Sequence, residues 1–167
     1  MLRIGVVSDS HRRFAYVPDM REKCGRLDWL LHAGDHLSDA PRIAADLGVD
    51  PSRVRAVAGN CDFPEMEPDE LLLELEQVRI LMVHGHRYGV KSGPQRVLYR
   101  AQEAGARVAI FGHSHVSFLE EVGGVLLLNP GSLSLPRRPG DLPSCAVLEL
   151  AGGEVRARLQ ILGEDSI

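Results

Sequence analysis

The sequence predicts an α/β fold in which two mixed sheets stack face to face with helices outside, an α-β-β-α sandwich. In the first half of the chain, apolar runs of strand length alternate with segments of helical spacing, and in the last third the runs follow one another as in a β meander. The length of 167 residues, with 44% hydrophobic and 25% charged residues, is typical of one globular domain. We therefore expect a single domain that spans residues 1–167.

The individual elements follow from hydrophobic periodicity and from glycine and proline residues that interrupt it. Strands are expected at residues 2–7, 27–33 and 54–58, then a polar, proline-containing connection over 63–70 and a hairpin of 71–75 with 78–83. Helical spacing predicts helices over 38–47, with Ser38 or Asp39 as N-cap, and over 93–104. Further strands are expected at 108–111, 116–122, 125–129, 145–150 and 155–162, with Gly-Gly pairs as hairpin turns.

The composition excludes several classes of protein. Every apolar run is far shorter than the roughly 20 residues that cross a bilayer, and the N-terminus lacks a secretory pattern, so we expect a cytoplasmic protein with no membrane partner. Three cysteines without a CxxC spacing imply no disulfide framework. A net charge of −4 disfavours binding of nucleic acid by broad electrostatic attraction.

The most informative pattern is a series of polar residues at the ends of five predicted strands. In open α/β sheets, ligands bind in the crevice beyond the carboxyl ends of the strands. Carboxylate, imidazole and amide groups together suit a pair of first-row divalent cations. The series consists of Asp9, His11, Asp35, Asn60, His84, His113 and His115.

Most members of the series, taken singly, also have an ordinary structural interpretation. Asp9 and Asp35 follow strands, as turn and cap residues commonly do. Gly59-Asn60 is typical of a left-handed turn, and His84 is typical of a capped core histidine at a strand end. None of these residues alone predicts a metal site.

Residues 112–115, Gly-His-Ser-His, carry the strongest single signal. His113 and His115 follow a buried strand and a glycine, and side chains two residues apart point the same way in an extended segment. Five such segments occur in order along the chain, each at a strand end. Independent coincidences would rarely produce this arrangement, so the series predicts a dinuclear metal site.

The motifs D-x-H, G-D, G-N, H-G and G-H-x-H resemble those of the calcineurin-like metallophosphoesterases. Residues 59–62 (Gly-Asn-Cys-Asp) and 129–132 (Asn-Pro-Gly-Ser) are similar to the YfcE-like phosphodiesterase branch, which also includes the eukaryotic retromer subunit of this fold. The resemblance runs from Asp9 to about Ser132 and, more weakly, through the last strands. It implies the metallophosphoesterase fold and a phosphoric diester hydrolase that attacks a small phosphodiester with a hydroxide bridging two metals.

The resemblance also implies a ligand set for each of two divalent metal ions, with one carboxylate shared between them. Manganese is the favoured metal, and iron, nickel, cobalt and zinc are the alternatives. The residues implied as catalytic are Asp35, Asn60 and His84. One metal would take Asp9, His11, Asp35 and His115, and the other would take Asp35, Asn60, His84 and His113.

One position departs from the pattern of many larger relatives. Those relatives have a histidine after the Gly-Asn pair that assists departure of the leaving group, whereas Cys61 stands here, as in the YfcE-like branch. A thiol with an ordinary pKa of about 8.5 is a poor substitute for imidazole as a general acid. The departure predicts a preference for diesters with good leaving groups over alkyl monoesters.

Several neighbouring residues have two interpretations each. Asp62 would hydrogen-bond within its loop or to a ligand histidine, in preference to acting directly in catalysis. His86 would contact substrate or cap a turn, and His32, inside a predicted strand, is interpreted as a hydrogen-bonded core histidine. Arg12 and Arg13 would bind a substrate phosphate or lie in solvent.

Two classes of function stay open at this point. The complete ligand set favours the phosphodiesterase, and the alternative is a catalytically weak protein-interaction scaffold of the same fold, as in the retromer subunit. The sequence leaves the physiological substrate, the native metal and the roles of Arg137 and Arg138 open. The oligomeric state is open too, with a homo-oligomer among the alternatives.

Overall fold

The computed structural model describes residues 1–63 and 67–163. Within these ranges the chain forms ten strands and three α-helices. The strands are β1 (Leu2–Val7), β2 (Trp29–His32), β3 (Val54–Ala56), β4 (Glu70–Leu75), β5 (Val78–Val83), β6 (Val108–Ile110), β7 (Phe118–Val122), β8 (Val125–Asn129), β9 (Ser144–Ala151) and β10 (Glu154–Ile161). The helices are α1 (Val17–Cys24), α2 (Ala40–Leu47) and α3 (Gln95–Glu103).

The strands form two mixed sheets of five strands each. The first sheet has the order β10-β9-β1-β2-β3, and the second has the order β4-β5-β6-β8-β7. Strands β1, β2 and β3 pair in parallel, as do β5, β6 and β8. The remaining pairs are antiparallel. Each sheet therefore has three parallel strands whose carboxyl ends open in one direction, which is the arrangement that collects loop residues into a crevice.

Three hydrophobic clusters lie between four layers of secondary structure. Strand β1 contributes to two of these clusters because its side chains alternate: Val6 points into the cluster between the two sheets, while Val7 points to the opposite face of its sheet. That opposite face packs against α1 and α2 through Met20 and Ile43, and the outer face of the second sheet packs against α3 through Val97. The layer order is thus helix, sheet, sheet, helix, which confirms the predicted α-β-β-α sandwich.

Two parts of the fold differ from the prediction. The last third is not a single meander, because the β7–β8 hairpin joins the second sheet and the β9–β10 hairpin joins the first. Gly-Gly turns specify only the local pairing within a hairpin, whereas packing of apolar faces decides which sheet receives it. Helix α1 was not predicted, because its charged sequence buries only Val17, Met20 and Cys24.

The connection predicted over 63–70 is shorter than expected, since β4 already begins at Glu70, and its residues 64–66 lie outside the described ranges. The helices of the described part are short: α3, the longest, has nine residues. None of them has the length and apolar character that crossing a membrane requires.

Candidate metal centre

The loops that follow the parallel strands converge at the carboxyl ends of both sheets. Most of the polar residues they carry are buried: Asp9 and His84 are 0% exposed, Asp35 is 3% exposed and His115 is 8% exposed. Burial of so many ionisable groups is costly unless they are paired or coordinate a cation. The loops after β1, β2, β3, β5 and β6 carry, respectively, Asp9 with His11, Asp35, Asn60, His84, and His113 with His115.

The structure groups six of these residues into two clusters that share one carboxylate. Asp9, His11, Asp35 and His115, hereafter the first cluster, each offer a ligand atom, and these atoms all lie within 4.8 Å of one another. Asp35, His84 and His113, the second cluster, meet the same criterion. Asn60 adjoins the second cluster, with its Oδ1 3.1 Å from His84 Nε2.

Backbone carbonyls fix the orientation of two imidazole rings. His84 Nδ1 donates to the carbonyl oxygen of Ala33 at 2.7 Å, and His115 Nδ1 donates to that of Leu135 at 2.6 Å. Since a carbonyl oxygen can only accept, Nδ1 carries the proton in both rings, and in the neutral ring Nε2 is the lone-pair nitrogen. Metal-ligating histidines typically make this contact through their other nitrogen.

The two lone-pair nitrogens face other acceptors. His115 Nε2 lies 3.1 Å from Asp9 Oδ1, and His84 Nε2 lies 3.4 Å from Asp35 Oδ2. Although they are buried, Asp9 Oδ1 and His11 Nε2 have no hydrogen-bond partner among the described residues. Acceptors that face each other without a proton between them repel, and a cation placed among them removes the repulsion. The residues present therefore fit divalent metal ions.

The charges within the site favour ionised carboxylates and a positive counter-charge. Burial opposes ionisation of Asp35, but the adjacent His84 ring and the Cys61 backbone N–H outweigh it and lower its pKa. The pKa of Asp9 is likewise lowered, because His115 and His84 outweigh the effect of burial. Burial disfavours a charged His84, yet the two carboxylates outweigh it and raise the pKa of the imidazole. The folded site thus attracts positive charge at the position that the carboxylates share.

His113 differs from His84 in its surroundings. Burial, the His84 ring and the Lys91 ammonium together lower the pKa of His113 to about 4. The imidazole is therefore neutral at physiological pH and needs to release no proton before it binds a cation. Lys91 was not identified from the sequence, because no motif marks it.

The backbone of the site is left-handed at most of the candidate ligands. The φ angles are 53° at Asp9, 49° at His11, 59° at Asp35, 67° at His113 and 58° at His115. Residues other than glycine rarely adopt this region of φ, and such backbone conformations concentrate at functional sites. The first cluster is left-handed at all four of its residues.

These angles correct two predictions. Residues 112–115 are not extended, and His113 and His115 do not point the same way: His113 joins the second cluster and His115 the first. The ordinary interpretation of Gly59-Asn60 as a left-handed turn is also wrong, because neither residue has a positive φ. Sequence spacing cannot distinguish these cases, because left-handed residues in loops depend on packing from other segments.

Two motif glycines are required by close approach of the loops. A Cβ atom on Gly59 would lie 2.2 Å from Asp35 Oδ1, and one on Gly112 would lie 2.0 Å from Ser8 Oγ and 2.8 Å from Asp9 Oδ2. Any side chain at either position would displace the carboxylate of a candidate ligand. Steric exclusion of a Cβ atom therefore explains why glycine precedes Asn60 and His113 in the two motifs.

Asp62 supports the loop of Asp35, the carboxylate that the two clusters share. Its Oδ2 accepts hydrogen bonds from the backbone N–H groups of Asp35 and Gly59, both at 2.9 Å, and its Oδ1 accepts one from Leu37 N–H at 3.1 Å. Of the alternatives weighed from the sequence, hydrogen bonding within the loops describes its contacts. Asp62 makes no contact with a ligand histidine among those found in the described residues.

A buried polar network supports the first cluster. Ser10 Oγ donates to Asp39 Oδ2 at 2.7 Å and lies 2.9 Å from His32 Nε2, while His32 Nδ1 accepts from Gly34 N–H at 3.1 Å. The same Asp39 oxygen accepts from Arg12 N–H at 2.8 Å. Ser10, His32 and Asp39, hereafter the Ser10–His32–Asp39 network, thereby tie the left-handed loop after β1 to the loop after β2.

The network confirms the interpretation of His32 as a hydrogen-bonded core histidine, since the residue is 0% exposed. It also corrects the interpretation of Asp39. Asp39 is the residue before α2, but its carboxylate does not cap the helix and is directed to the β1 loop instead. Ser10 lies inside the D-x-H motif, so the motif itself was the signal that could have identified it.

The remaining candidates lie around the two clusters. Cys61 is exposed, and desolvation of its sulfur together with the Asp35 carboxylate raises its pKa to about 11, so the thiol stays protonated at neutral pH. The ring centroid of His86 is 5.5 Å from that of His84. The side chains of Arg12 and Arg13 are exposed, as are those of Arg137 and Arg138.

Comparisons with known proteins identify the family of this chain. Residues 2–153 match the Calcineurin-like phosphoesterase superfamily domain. The chain is 38% identical over 137 residues to the probable metallophosphoesterase YsnB of Bacillus subtilis, covering 81% of this chain and 78% of YsnB. It is 30% identical over 159 residues to the phosphodiesterase YfcE of Escherichia coli K12, covering 82% of each.

A solved structure extends the similarity to three dimensions. A Streptococcus pneumoniae TIGR4 protein, described as a conserved uncharacterized protein and predicted phosphoesterase, superposes with a TM-score of 0.74 at 30% identity. The match covers 96% of this chain and 89% of that one. With the fold, the shared carboxylate of the two clusters and the family match over most of its length, this chain belongs to the calcineurin-like phosphoesterase superfamily.

Proposed function

We propose that this protein is a dinuclear-metal phosphodiesterase that hydrolyses a small phosphodiester. The observation that carries the proposal is the pair of clusters around Asp35, in which imidazole nitrogens of fixed orientation face carboxylate oxygens. A carboxylate shared by two clusters is the arrangement that would hold two cations as two-metal hydrolases do, roughly 3.5–4 Å apart. The name of the relative YfcE, a phosphodiesterase, supports the choice of a diester.

In this proposal each cluster holds one divalent ion. The first ion takes Asp9, His11, Asp35 and His115. The second takes Asp35, Asn60, His84 and His113, with Asn60 contributing its amide oxygen. Manganese is the proposed metal, because mixed oxygen and nitrogen donors suit it, and iron, nickel, cobalt or zinc would suit the same donors.

The protein residues position the ions and the reacting groups. When bound, two divalent ions lower the pKa of a water molecule and offset the negative charge of the phosphate oxygens. Asp35, Asn60 and His84 are the proposed catalytic residues: Asp35 would be shared by the two ions, and His84 and the adjoining Asn60 would hold the ion of the second cluster. Asp62 and the Ser10–His32–Asp39 network keep the ligand loops in place, which limits reorganisation during the reaction.

Position 61 carries a cysteine in place of an imidazole, and this difference affects which substrates we expect the protein to cleave. Its thiol, with a pKa raised to about 11, is a weak proton donor for a departing alkoxide. Leaving groups of low basicity need no such donor. We therefore expect aryl phosphodiesters to be cleaved faster than glycerol phosphate, and faster turnover of glycerol phosphate would contradict this expectation.

A metal-reconstitution assay tests the proposed function. The purified chain is stripped of metal, reloaded with Mn²⁺ or another divalent ion, and assayed on aryl diesters, monoesters, cyclic nucleotides and nucleic acids. Hydrolysis of small aryl diesters that disappears on chelation is the expected result. Failure to turn over any substrate with any metal, in protein shown to be folded, would favour the protein-interaction scaffold.

A further inference from the structure

A cavity of about 230 Å³ lies beside the loop that carries His113 and His115. Ser114, between these two candidate ligands, forms part of its wall, so the cavity and the metal centre share one loop. The wall is fixed, since Asn129 Nδ2 donates to Ser114 Oγ at 3.0 Å and to the Gly112 carbonyl at 3.1 Å. The cavity thus shares with the metal centre a loop that is held in place by Asn129.

The lining of this cavity combines apolar walls with positive charge. Phe111, Val116 and Phe118 supply apolar surface, while Lys91 and Arg138 supply two cationic groups. None of the described residues that line the cavity carries a carboxylate. Neither cationic side chain forms an ion pair or hydrogen bond with another residue in the described part of the chain, so both are available to a ligand.

A second cavity, of about 440 Å³, flanks the centre at Asn60 and has a different charge. Its described lining includes three carboxylates and a single arginine, Arg87, which is already paired with Asp69. The two sides of the metal centre therefore differ: one is of mixed charge, and the other is cationic with apolar walls. The polar residues that line the mixed side are Asn60, Asp62, Glu67, Asp69, His86 and Arg87.

We propose that the cavity lined by Lys91 and Arg138 binds one ester arm of the substrate and selects an arm that carries a second anionic group on an apolar stem. The proposal rests on the proposed phosphodiesterase function and names the substrate class of that site. A volume of about 230 Å³ is below the roughly 300–1,000 Å³ of pockets for whole ligands, which suits one arm of a diester. The anionic group of the arm would pair with Lys91 and Arg138, and its apolar stem would pack against the wall that contains Phe111 and Phe118.

Two matched substrates test this assignment. Both are 4-nitrophenyl aryl phosphodiesters, one with a 4-carboxyphenyl arm and one with a 4-carbamoylphenyl arm of nearly equal shape. We expect wild type to show a KM about fivefold lower for the carboxylate, the size expected of two partly exposed ion pairs. In the variant with Lys91→Ala and Arg138→Ala this preference disappears, measured as the ratio of the two KM values within each protein, so that any effect common to both substrates cancels.

Arg137→Ala is the control, because Arg137 is an exposed neighbouring cation that does not line the cavity. Equal loss of preference in Arg137→Ala and in the double variant would overturn the proposal, since general attraction of anions would then explain it. Equal KM values for the two substrates in wild type would also overturn it.

Binding of non-hydrolysable phosphonate analogues with the same two arms separates this inference from the proposed function. A calorimetric preference for the carboxylate that depends on Lys91 and Arg138, without turnover of either diester, would contradict the phosphodiesterase alone and retain the cavity. Turnover of both diesters, with equal binding of the two analogues, would contradict the cavity alone.

Discussion

The two ligand clusters share Asp35 but are built in different ways. Every residue of the first cluster has a left-handed backbone, and the Ser10–His32–Asp39 network supports its β1 loop from inside the protein. In the second cluster His84 directly follows β5 and has an ordinary backbone. The first cluster also has two carboxylates, whereas the second has only the shared one. We therefore expect the first cluster to bind a divalent ion more tightly than the second and to depend more on loop conformation.

The strongest test of the comparison removes the residue that the clusters share. Asp35→Ala is expected to abolish binding at both sites and to lower kcat/KM at least about 10³-fold, because several kcal/mol of charge stabilisation by the ions is lost. Metal content by mass spectrometry and diester hydrolysis measure the two effects. Glu103→Ala, at an exposed position on α3, is the control and should change neither. Retention of two ions by Asp35→Ala would exclude a bridging role.

Replacing one histidine at a time separates the clusters. His113→Ala should lose the second ion and keep the first, while His115→Ala should lose the first. Each loss should exceed the roughly 10–100-fold in affinity that removal of a ligand's supporting partner costs. Calorimetric titration of the metal-stripped variants gives the number of sites and their affinities. If His113→Ala keeps both ions and full activity, the ligand assignment is wrong.

Acid should weaken the support of the first cluster through His32. Burial lowers the pKa of His32 to about 4, whereas the unfolded chain has the ordinary value of about 6.5. Between these values the unfolded state holds a proton that the folded state does not. Titration of His32 therefore leaves the free energy of unfolding unchanged well above pH 6.5. As the pH falls to 4, it lowers that free energy by about 3 kcal/mol.

Urea denaturation of the metal-free protein between pH 7 and pH 4 measures this slope. His32→Asn, which offers an acceptor for Gly34 N–H but does not titrate, is the matched control. Its stability should fall less steeply over the same range. Identical slopes for the two proteins would show that His32 does not contribute.

A smaller effect is expected from the carboxylate at the other end of the network. Asp39→Ala removes the acceptor of Ser10 Oγ–H and Arg12 N–H and should weaken binding of the first ion about tenfold, with the second site unchanged. Asp39→Asn keeps a side-chain oxygen and should restore most of the affinity. Equal weakening of both sites would mean that the network supports the whole fold, not the first cluster in particular.

Much of the fold could be predicted because its signals are local. Strands such as β1 and β5 are bounded by polar residues and have unmistakable apolar runs, and both were predicted with the bounds observed. Helix α1 was missed because only three of its residues are buried, and the β9–β10 hairpin was assigned to the wrong arrangement because sheet membership depends on packing. Pairing between distant segments leaves little trace in a single sequence.

The candidate site shows the same division. Motifs named the residues that the two clusters bring together, and the glycines beside them proved to be required by contacts such as that of Gly112 with Ser8. Asp39 and Lys91 could not be assigned to the site, because their link to it is spatial: Asp39 contacts Ser10, 29 positions away, and Lys91 acts on His113 through its charge.

The sequence by itself determined the chemistry: which donor atoms are present, in what order they follow the strands, and that no imidazole stands at position 61. Only the tertiary structure decided how those donors divide. His113 and His115, both left-handed, belong to different clusters, and backbone carbonyls of Ala33 and Leu135 set which nitrogen of His84 and of His115 faces the carboxylates. Residue types fix what a site can bind, but backbone conformation and hydrogen bonds from distant segments fix where each lone pair points.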